Sequence, residues 1–158
     1  MNFIPILLTA VLLGTAHAAS PVQTKGSAVT IDLIAGQGST NGGLNFNGGA
    51  RGDRTFTVPL GATVTVKFKN MGIMPHSFVI RQGGAAPTDA DASDAVFTSG
   101  YAPAKVEAGI RPGATTQVVF KASKAGSYYF VCGVPGHAMG GQYIRLVVSK
   151  AATVASFK

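Results

Sequence analysis

The 158-residue sequence contains few reactive side chains: one cysteine, three histidines and no tryptophan. A single cysteine cannot form an internal disulfide, so disulfide bonds do not hold this fold together. Charged residues make up only 12% of the chain and hydrophobic residues 46%, which excludes an intrinsically disordered protein. A chain of this length can bury one hydrophobic core, and we therefore expect a single globular domain.

The sequence also lacks an apolar run long enough to span a bilayer. Its N-terminal apolar stretch, residues 3–13, precedes Ala16-His17-Ala18, which has the small-x-small form of a signal cleavage site. Unlike a standard signal, this stretch has no Lys or Arg before it. We expect a signal peptide at residues 1–18 and a domain at residues 19–158, exported to the periplasm or another extracytoplasmic compartment. The alternative is an uncleaved anchor that keeps the protein membrane-associated.

Acidic residues are scarce: six Asp and Glu stand against thirteen Lys and Arg, and the formal net charge is +7. Basic proteins often bind nucleic acid, but these cationic side chains are scattered from Lys25 to Lys158 rather than clustered. An exported chain also rarely meets nucleic acid. We therefore expect no nucleic-acid binding, and a basic surface that favours an acidic protein partner or an anionic membrane face.

Gly and Pro, in contrast, are frequent, with 21 and 8 residues. Two Pro/Gly turns, residues 58–63 and 111–115, each precede a run rich in strand-forming residues. In the first run Val64, Val66 and Phe68 alternate with polar residues, a period of two that gives a strand one buried face. Further strands are predicted at residues 29–35, 54–58, 76–80, 127–132 and 143–149. About seven short strands separated by turns predict an all-β, two-sheet Greek-key sandwich.

One segment, residues 82–104, interrupts the strand pattern, and we expect a long connection there with one short helix. It contains Asp89, Asp91 and Asp94, whose spacing resembles part of a calcium loop. The Gly and the distal Glu of an EF-hand loop are absent, which disfavours calcium.

The chemistry-bearing side chains centre on residues 132–142. Cys132 and His137 lie five positions apart, and the Pro/Gly turn between them can bring both side chains to one point. A second imidazole, His76, opens a predicted strand far upstream. One thiolate and two imidazoles with a weak axial contact form a blue-copper site. Sulfur favours Cu(I) and imidazole tolerates Cu(II), so a fixed site of this kind passes an electron with little rearrangement.

Taken singly, each of these residues has a simpler interpretation. His76 could be an ordinary polar residue, His137 an exposed loop residue and Cys132 an inert core thiol. Together, however, they are the only Cys and the only two His after position 18, and they match the three strong copper ligands. Zinc would require a fourth strong ligand, and no further Cys or His is available. A catalytic Cys-His pair lacks an evident orienting group.

Several motifs resemble those of a known family, the cupredoxins, and in particular the sulfocyanin and rusticyanin group. Gly126–Cys132 resembles the strand that leads into the ligand Cys, and Cys-x4-His resembles the ligand loop. His76-Ser77-Phe78 resembles the first-ligand strand, and the Asn-rich motif at residues 44–49 resembles one found in sulfocyanins. The resemblance covers about residues 44–148 and implies one type 1 copper ion. The simpler role of the Asn-rich motif is a loop stabilised by Asn side chains.

The sequence departs from this family at the axial position. The family pattern is Cys-x4-His-x4-Met, and here Gln142 occupies the last place. The stellacyanins similarly use an axial Gln. We expect Gln142 to be the axial ligand, with Met139, two places after His137, as the alternative. An amide oxygen is a harder ligand than a thioether and should stabilise Cu(II). We therefore do not expect this protein to have the high reduction potential associated with rusticyanin.

The expected function is electron transfer between redox protein partners by a monomer that is not an enzyme. The alternative is a copper chaperone or copper-storage protein, although only Met71, Met74 and Met139 lie beyond the signal and exported chaperones favour Met-rich or His-rich sites. Copper oxidases and reductases need further ligands that this chain lacks. The apolar residues around His137 either fill the end of the sandwich or form a docking patch; they are Val134, Pro135, Ala138 and Met139. Tyr128 and Phe130 are expected in the core.

Overall fold

The computed structural model describes residues 20–158, so the predicted signal at residues 1–18 lies outside the described residues. The described chain forms ten strands: β1 (Val22–Lys25), β2 (Ala28–Ala35), β3 (Thr55–Pro59), β4 (Thr63–Asn70), β5 (Phe78–Gln82), β6 (Tyr101–Ala102), β7 (Thr115–Lys121), β8 (Gly126–Val131), β9 (Tyr143–Ser149) and β10 (Ser156–Phe157). Two short 3-10 helices, Thr40–Gly43 and Ala92–Asp94, lie in the connections. Within this part of the chain, no helix is long and apolar enough to cross a membrane.

The strands form two mixed sheets. A four-stranded sheet has the order β1-β2-β4-β7, and a six-stranded sheet has the order β10-β3-β9-β8-β5-β6. β2 pairs in parallel with β4, and β3 in parallel with β9, while the other pairs are antiparallel. Phe68 of the first sheet packs edge-on against Phe78 of the second, with ring centroids 5.2 Å apart. The predicted all-β, two-sheet architecture is therefore confirmed.

Alternating side chains build the core between the sheets. In β4, Val64, Val66 and Phe68 are fully buried, as their period of two predicts. In β8, Tyr128 and Phe130 lie in the same core cluster as Cys132, as expected. The intervening residues of β8, Tyr129 and Val131, are buried as well. They lie on the outer face of the six-stranded sheet, which the connection between β5 and β6 covers.

The predicted strand at residues 76–80 starts too early. β5 begins at Phe78, and His76 instead forms an isolated antiparallel bridge with Ile110. The backbone of His76 bonds to Ile110, and the Ser77 N–H donates to the Cys132 Sγ at 3.4 Å, so neither residue joins the ladder with β8. Three strands were not predicted, β1, β6 and β10, because two to four residues are too few for a periodic signal. The long connection carries the expected short helix, at Ala92–Asp94.

The two segments that carry the predicted ligands meet at one end of the sandwich. Cys132 follows β8 directly and Gln142 precedes β9 directly, and these two strands pair antiparallel. The Cys132 N–H donates to the Gln142 carbonyl at 3.1 Å, which closes the base of the intervening loop. The next strand across from β8 is β5, so the residues just before β5 face the same loop.

Candidate metal centre

Three predicted ligands converge at this end of the sandwich. The side chains of His76, Cys132 and His137 each offer one ligand atom, and these atoms all lie within 4.8 Å of one another. The Cys132 Sγ lies 3.5 Å from His137 Nδ1, and the two imidazole rings lie 5.1 Å apart between centroids. His76 and Cys132 are fully buried, whereas His137 is partly exposed. His76 and His137 are 61 residues apart in the sequence, and the pairing of β5 with β8 brings them together.

Hydrogen-bond donors surround the thiol of Cys132. The Ser77 N–H donates to the sulfur at 3.4 Å, and the Ser77 hydroxyl lies 3.8 Å from it. The hydroxyl also accepts the Gly133 N–H at 2.9 Å, which holds it in place. Burial raises the pKa of the Cys132 thiol, and the donors act in the opposite direction. Donors aimed at a buried sulfur suit a thiolate whose charge a metal cation would offset.

His76 is held as a neutral imidazole. Its pKa is lowered to about 4, first by burial and then by the nearby His137. Its Nδ1 faces the cluster, whereas its buried Nε2 has no hydrogen-bond partner among residues 20–158. The Nε2 edge of the ring lies against Gly36 and Gly72. Neutral imidazole nitrogen is the form that binds a metal.

A buried amide that the sequence did not single out shapes the turn before His76. The Asn70 side chain donates to the carbonyls of Met74 and Ile110, at 2.8 and 2.9 Å, and accepts the Gly72 N–H at 2.8 Å. Asn70 is fully buried at the end of a strand whose other buried positions are apolar. That break in the alternation is a sequence signal that could have identified it.

His137 lies in a tightly turned loop. Its N–H donates to the Val134 carbonyl at 3.1 Å, and its carbonyl accepts the Gln142 N–H at 2.9 Å. Gly136 has a φ of +81°, which favours glycine in the turn. Burial lowers the pKa of His137 as well, so both imidazoles favour the neutral form.

Gln142 lies in this cluster, and its side chain is fully buried. Its Oε1 lies 3.0 Å from His76 Nδ1 and 3.1 Å from His137 Nδ1. Its Nε2 donates to the Asn45 carbonyl at 3.2 Å. The Met139 side chain, by contrast, is 70% exposed at the surface. The structure thus places the amide oxygen of Gln142, and not the thioether of Met139, beside both imidazoles.

The donor set fits copper. Two imidazole nitrogens, one thiol and one weak oxygen donor match the trigonal His-His-Cys pattern with an axial contact. Structural zinc sites use four strong N, S or carboxylate ligands, and an amide oxygen is a poor fourth ligand for them. Among the described residues, no second group of His, Cys, Asp and Glu comes together in this way.

A protein-family model matches nearly the whole chain. Residues 15–157 match the Sulfocyanin (SoxE) domain. Sulfocyanin of Sulfolobus acidocaldarius is 30% identical over 138 residues, which cover 84% of this chain and 69% of that protein. Auracyanin-A of Chloroflexus aurantiacus is 36% identical over 54% of this chain and 59% of its own length. A copper-resistant cuproprotein, CopI of Rubrivivax gelatinosus, is 33% identical over 60% of this chain and 56% of its own length.

Solved structures share the fold. Reduced auracyanin from Roseiflexus castenholzii superposes with a TM-score of 0.54 at 28% identity, covering 76% of this chain and 96% of that chain. Auracyanin A of Chloroflexus aurantiacus, a "blue" copper protein, gives a TM-score of 0.53 at 28% identity, covering 77% and 99% of the two chains. A multi-copper oxidase from Pseudomonas thermotolerans gives 0.55 at 18% identity, but only 30% of that chain is covered, and this likeness concerns the fold alone.

Proposed function

This chain belongs to the sulfocyanin family of the cupredoxins, and on that premise we propose that it is a blue-copper electron carrier. One type 1 copper ion would cycle between Cu(I) and Cu(II) without substrate turnover. The observation that carries the proposal is the convergence of His76, Cys132 and His137 within 4.8 Å at one end of a cupredoxin sandwich. Copper supplies the one-electron chemistry, and the protein supplies a fixed set of donors.

We assign His76, Cys132 and His137 as the three strong ligands and Gln142 as the axial one. The position of the Gln142 Oε1, about equally far from both Nδ1 atoms, supports the axial assignment. The 70% exposure of Met139 argues against the alternative. Burial of His76, Cys132 and Gln142 limits their rearrangement when the charge at the centre changes, which keeps electron transfer fast.

His137 is the proposed route for the electron, because it is the partly exposed member of the set. Pro135 and Met139 are exposed beside it, and Val134 is partly exposed, so these three form an apolar rim. Ala138 does not belong to this rim, since it is 1% exposed and packs in the second core cluster. The rim suits contact with a redox protein while water is excluded.

The partner is proposed to be acidic. Beside the ligand loop, the exposed Arg51 donates to the Gly140 carbonyl at 3.3 Å. Farther along β9, the exposed Arg145 donates to the Gly52 carbonyl at 2.9 Å. Neither guanidinium forms an ion pair with a carboxylate of residues 20–158. These two cations belong to a chain whose net charge is +7, and they favour an acidic docking surface on the partner. Monomeric carriers suit such transient docking, and we propose a monomer.

The second candidate is copper storage or delivery, which the likeness to the copper-resistant cuproprotein CopI favours. A delivery site has to release its ion readily to a partner. Here two of the three strong ligands and Gln142 are fully buried, which hinders release. The geometry therefore supports the carrier better than the store, and it offers no further ligand cluster for an enzyme among the described residues.

The proposed location is extracytoplasmic, with residues 1–18 removed and residues 19–158 as the mature cupredoxin domain. The small-x-small pattern at Ala16-His17-Ala18 supports this proposal. Mass spectrometry of the protein from exporting cells tests it. A chain that begins near Ala19 is expected, and a retained N-terminus in the membrane fraction would favour the anchor.

The function is tested by adding Cu(II) to the purified protein and recording visible and electron paramagnetic resonance spectra. We expect an intense thiolate-to-copper charge-transfer band and a small copper hyperfine splitting. Cys132→Ser should abolish the band, because an alcohol gives no such transition, whereas Met139→Leu in the same loop should keep it. A Cys132→Ser variant with the wild-type spectrum would refute the proposal, and a colourless wild-type complex would favour storage.

A further inference from the structure

The Asn-rich motif at residues 44–49 contains a buried side chain, that of Asn45, close to the metal centre. Asn45 is fully buried, and its side chain makes three hydrogen bonds to the backbone. Its Oδ1 accepts the N–H groups of Gln37 and Gly48 at 3.0 and 3.3 Å, and its Nδ2 donates to the Thr40 carbonyl at 2.8 Å. These bonds fix the backbone of Asn45 in one position.

The backbone carbonyl of Asn45 is the group that contacts the metal centre. It accepts the Gly36 N–H at 3.1 Å and the Gln142 Nε2 at 3.2 Å. A carbonyl only accepts hydrogen bonds, so the Gln142 amide must present its NH2 group there. The amide oxygen is then left on the opposite side, where it lies 3.0 Å from His76 Nδ1.

Asn41 connects the same segment to the ligand loop. Its Nδ2 donates both to the Leu44 carbonyl, at 2.8 Å, and to the Gly140 carbonyl, at 2.9 Å. Gly140 lies two residues before Gln142, so the bond holds the backbone from which the axial side chain extends. Asn47, in contrast, bonds only to β2, through the Ile34 N–H and the Asp32 carbonyl.

We propose that Asn45, supported by Asn41, is the positioning residue that orients Gln142 so that its amide oxygen, and not its NH2 group, faces the copper. The inference rests on the proposed function and deepens it. An NH2 group cannot act as the axial donor, so a rotated amide leaves the axial position weaker. Weaker axial donation favours Cu(I) over Cu(II) and raises the reduction potential.

A double-mutant cycle on the reduction potential separates positioning from simple stabilisation. Asn45→Ala is made in the wild-type protein and in Gln142→Met, whose thioether cannot use the carbonyl of residue 45. In the wild-type background we expect the preference for Cu(II) over Cu(I) to fall about tenfold. The reduction potential then rises by about 59 mV for one electron. In the Gln142→Met background we expect no shift. Equal shifts in both backgrounds, or none in either, would overturn the proposal.

Asn47→Ala is the matched control from the same motif. It removes two hydrogen bonds to β2 and should lower the melting temperature while leaving the potential unchanged. If Asn45→Ala fails to fold, Asn41→Ala takes its place in the cycle. Its shift should be larger in the wild-type background than in Gln142→Met, because only the Gln142 amide also uses the Asn45 carbonyl. A potential that moves with Asn47→Ala as much as with Asn41→Ala would contradict a specific positioning role.

Nuclear magnetic resonance on the full chain gives a readout that does not need a blue-copper site. The Gln142 side-chain NH2 protons should exchange slowly with water in the reduced protein, because the Asn45 carbonyl binds them in the interior. Exchange should accelerate at least tenfold in Asn45→Ala and remain slow in Asn47→Ala. Fast exchange in the wild type would refute the positioning of Gln142 by Asn45, even if the copper spectra support the electron carrier. Slow exchange would support this positioning even if the copper spectra do not support the carrier.

Discussion

At the scale of single residues, the orientation of the Gln142 amide and of the His76 imidazole determines which of their atoms face the proposed copper site. Both are fully buried polar groups, and each directs one potential ligand atom into the cluster: Oε1 of Gln142 and Nδ1 of His76. A buried polar group is costly unless it is bonded, so the bonds of Gln142 determine which of its atoms faces inward. Because Gln142 lies beside both imidazoles, a substitution there should change the reduction potential of the copper.

Replacement of Gln142 by Met should raise the reduction potential, because a long thioether contact donates less to Cu(II) than an amide oxygen does. The two side chains have similar volume, so the fold should persist. Met139→Leu is the control and should change the potential far less, since the Met139 side chain is 70% exposed. Electrochemistry on the copper-loaded variants checks this. A large shift in Met139→Leu with none in Gln142→Met would assign the axial role to Met139.

The copper-free protein should lose stability in acid because of His76. Its pKa is about 4 when folded against an ordinary 6.5, so between these values the unfolded chain binds a proton that the folded chain does not. The contribution is complete above pH 6.5 and is lost as the pH falls towards 4, at about 1.4 kcal/mol per pKa unit or about 3 kcal/mol in total.

Urea unfolding of reduced, copper-free protein between pH 4 and 7 measures this loss. The His76→Leu variant should show a flatter profile over the same interval, because it lacks the titrating group. Parallel profiles for the two proteins would show that His76 does not account for the acid sensitivity.

At the scale of elements, the metal centre depends on close backbone approach as much as on ligands. β2 and β4 run parallel, and the turns that follow them bring Gly36 and Gly72 together over the His76 ring. A Cβ on Gly72 would lie 2.8 Å from His76 Nε2, and a Cβ on Gly36 would lie 2.4 Å from the Gly72 Cα. The two glycines therefore determine how deep the first histidine can lie.

Gly72→Ala should displace His76 and alter the blue-copper site. We expect weaker copper binding and a changed charge-transfer band, measured by titration and visible spectroscopy. Gly113→Ala is the control, because it has a φ of +78° and no atom within 4 Å of an added Cβ. It should cost about 1–2 kcal/mol of backbone strain and leave the spectrum unchanged. Identical spectra for Gly72→Ala and wild type would show that close packing of Gly72 against the His76 ring does not determine the position of the ring.

At the scale of the whole molecule, charge and shape determine how a partner approaches. The net charge is +7, and the ligand loop carries the anchored Arg51 at its edge. Lys25, by contrast, pairs with Ala28 at the far end of β2 from Gly36. Because the Debye length falls from about 30 Å at 0.01 M to about 8 Å at 0.15 M salt, only local cations still act at physiological ionic strength.

Oxidation of the reduced protein by hexacyanoferrate(III), an anion, should therefore slow as salt is raised. Oxidation by a tris-phenanthroline cobalt(III) cation should not slow. Arg51→Gln should reduce the anionic rate more than Lys25→Gln does, since Arg51 lies beside the ligand loop. Stopped-flow rates check this, and equal effects of the two substitutions would mean that net charge alone, and not a local face, guides the reagent.

The sequence by itself determined those features that local pattern encodes. Period-two alternation placed β4, since side chains of a strand point to opposite faces. Runs of strand-forming residues between turns located the other main strands within about two residues. The scarcity of Cys and His, together with the spacing of Cys132 and His137, predicted which side chains meet. The donor set predicted copper, and the resemblance to a family supported it. The ligand assignment itself stays a prediction until copper spectra test it.

Only the tertiary structure decided how these side chains are oriented. Gln142 contacts Asn45 across 97 positions, and Ser77 contacts Cys132 across 55. Such contacts follow from sheet pairing and loop packing, which no local period encodes. The same holds for Asn70 and for the contact of Gly36 with Gly72. A sequence lists the polar groups that will be buried, but which partner satisfies each one is determined only when distant segments are packed together.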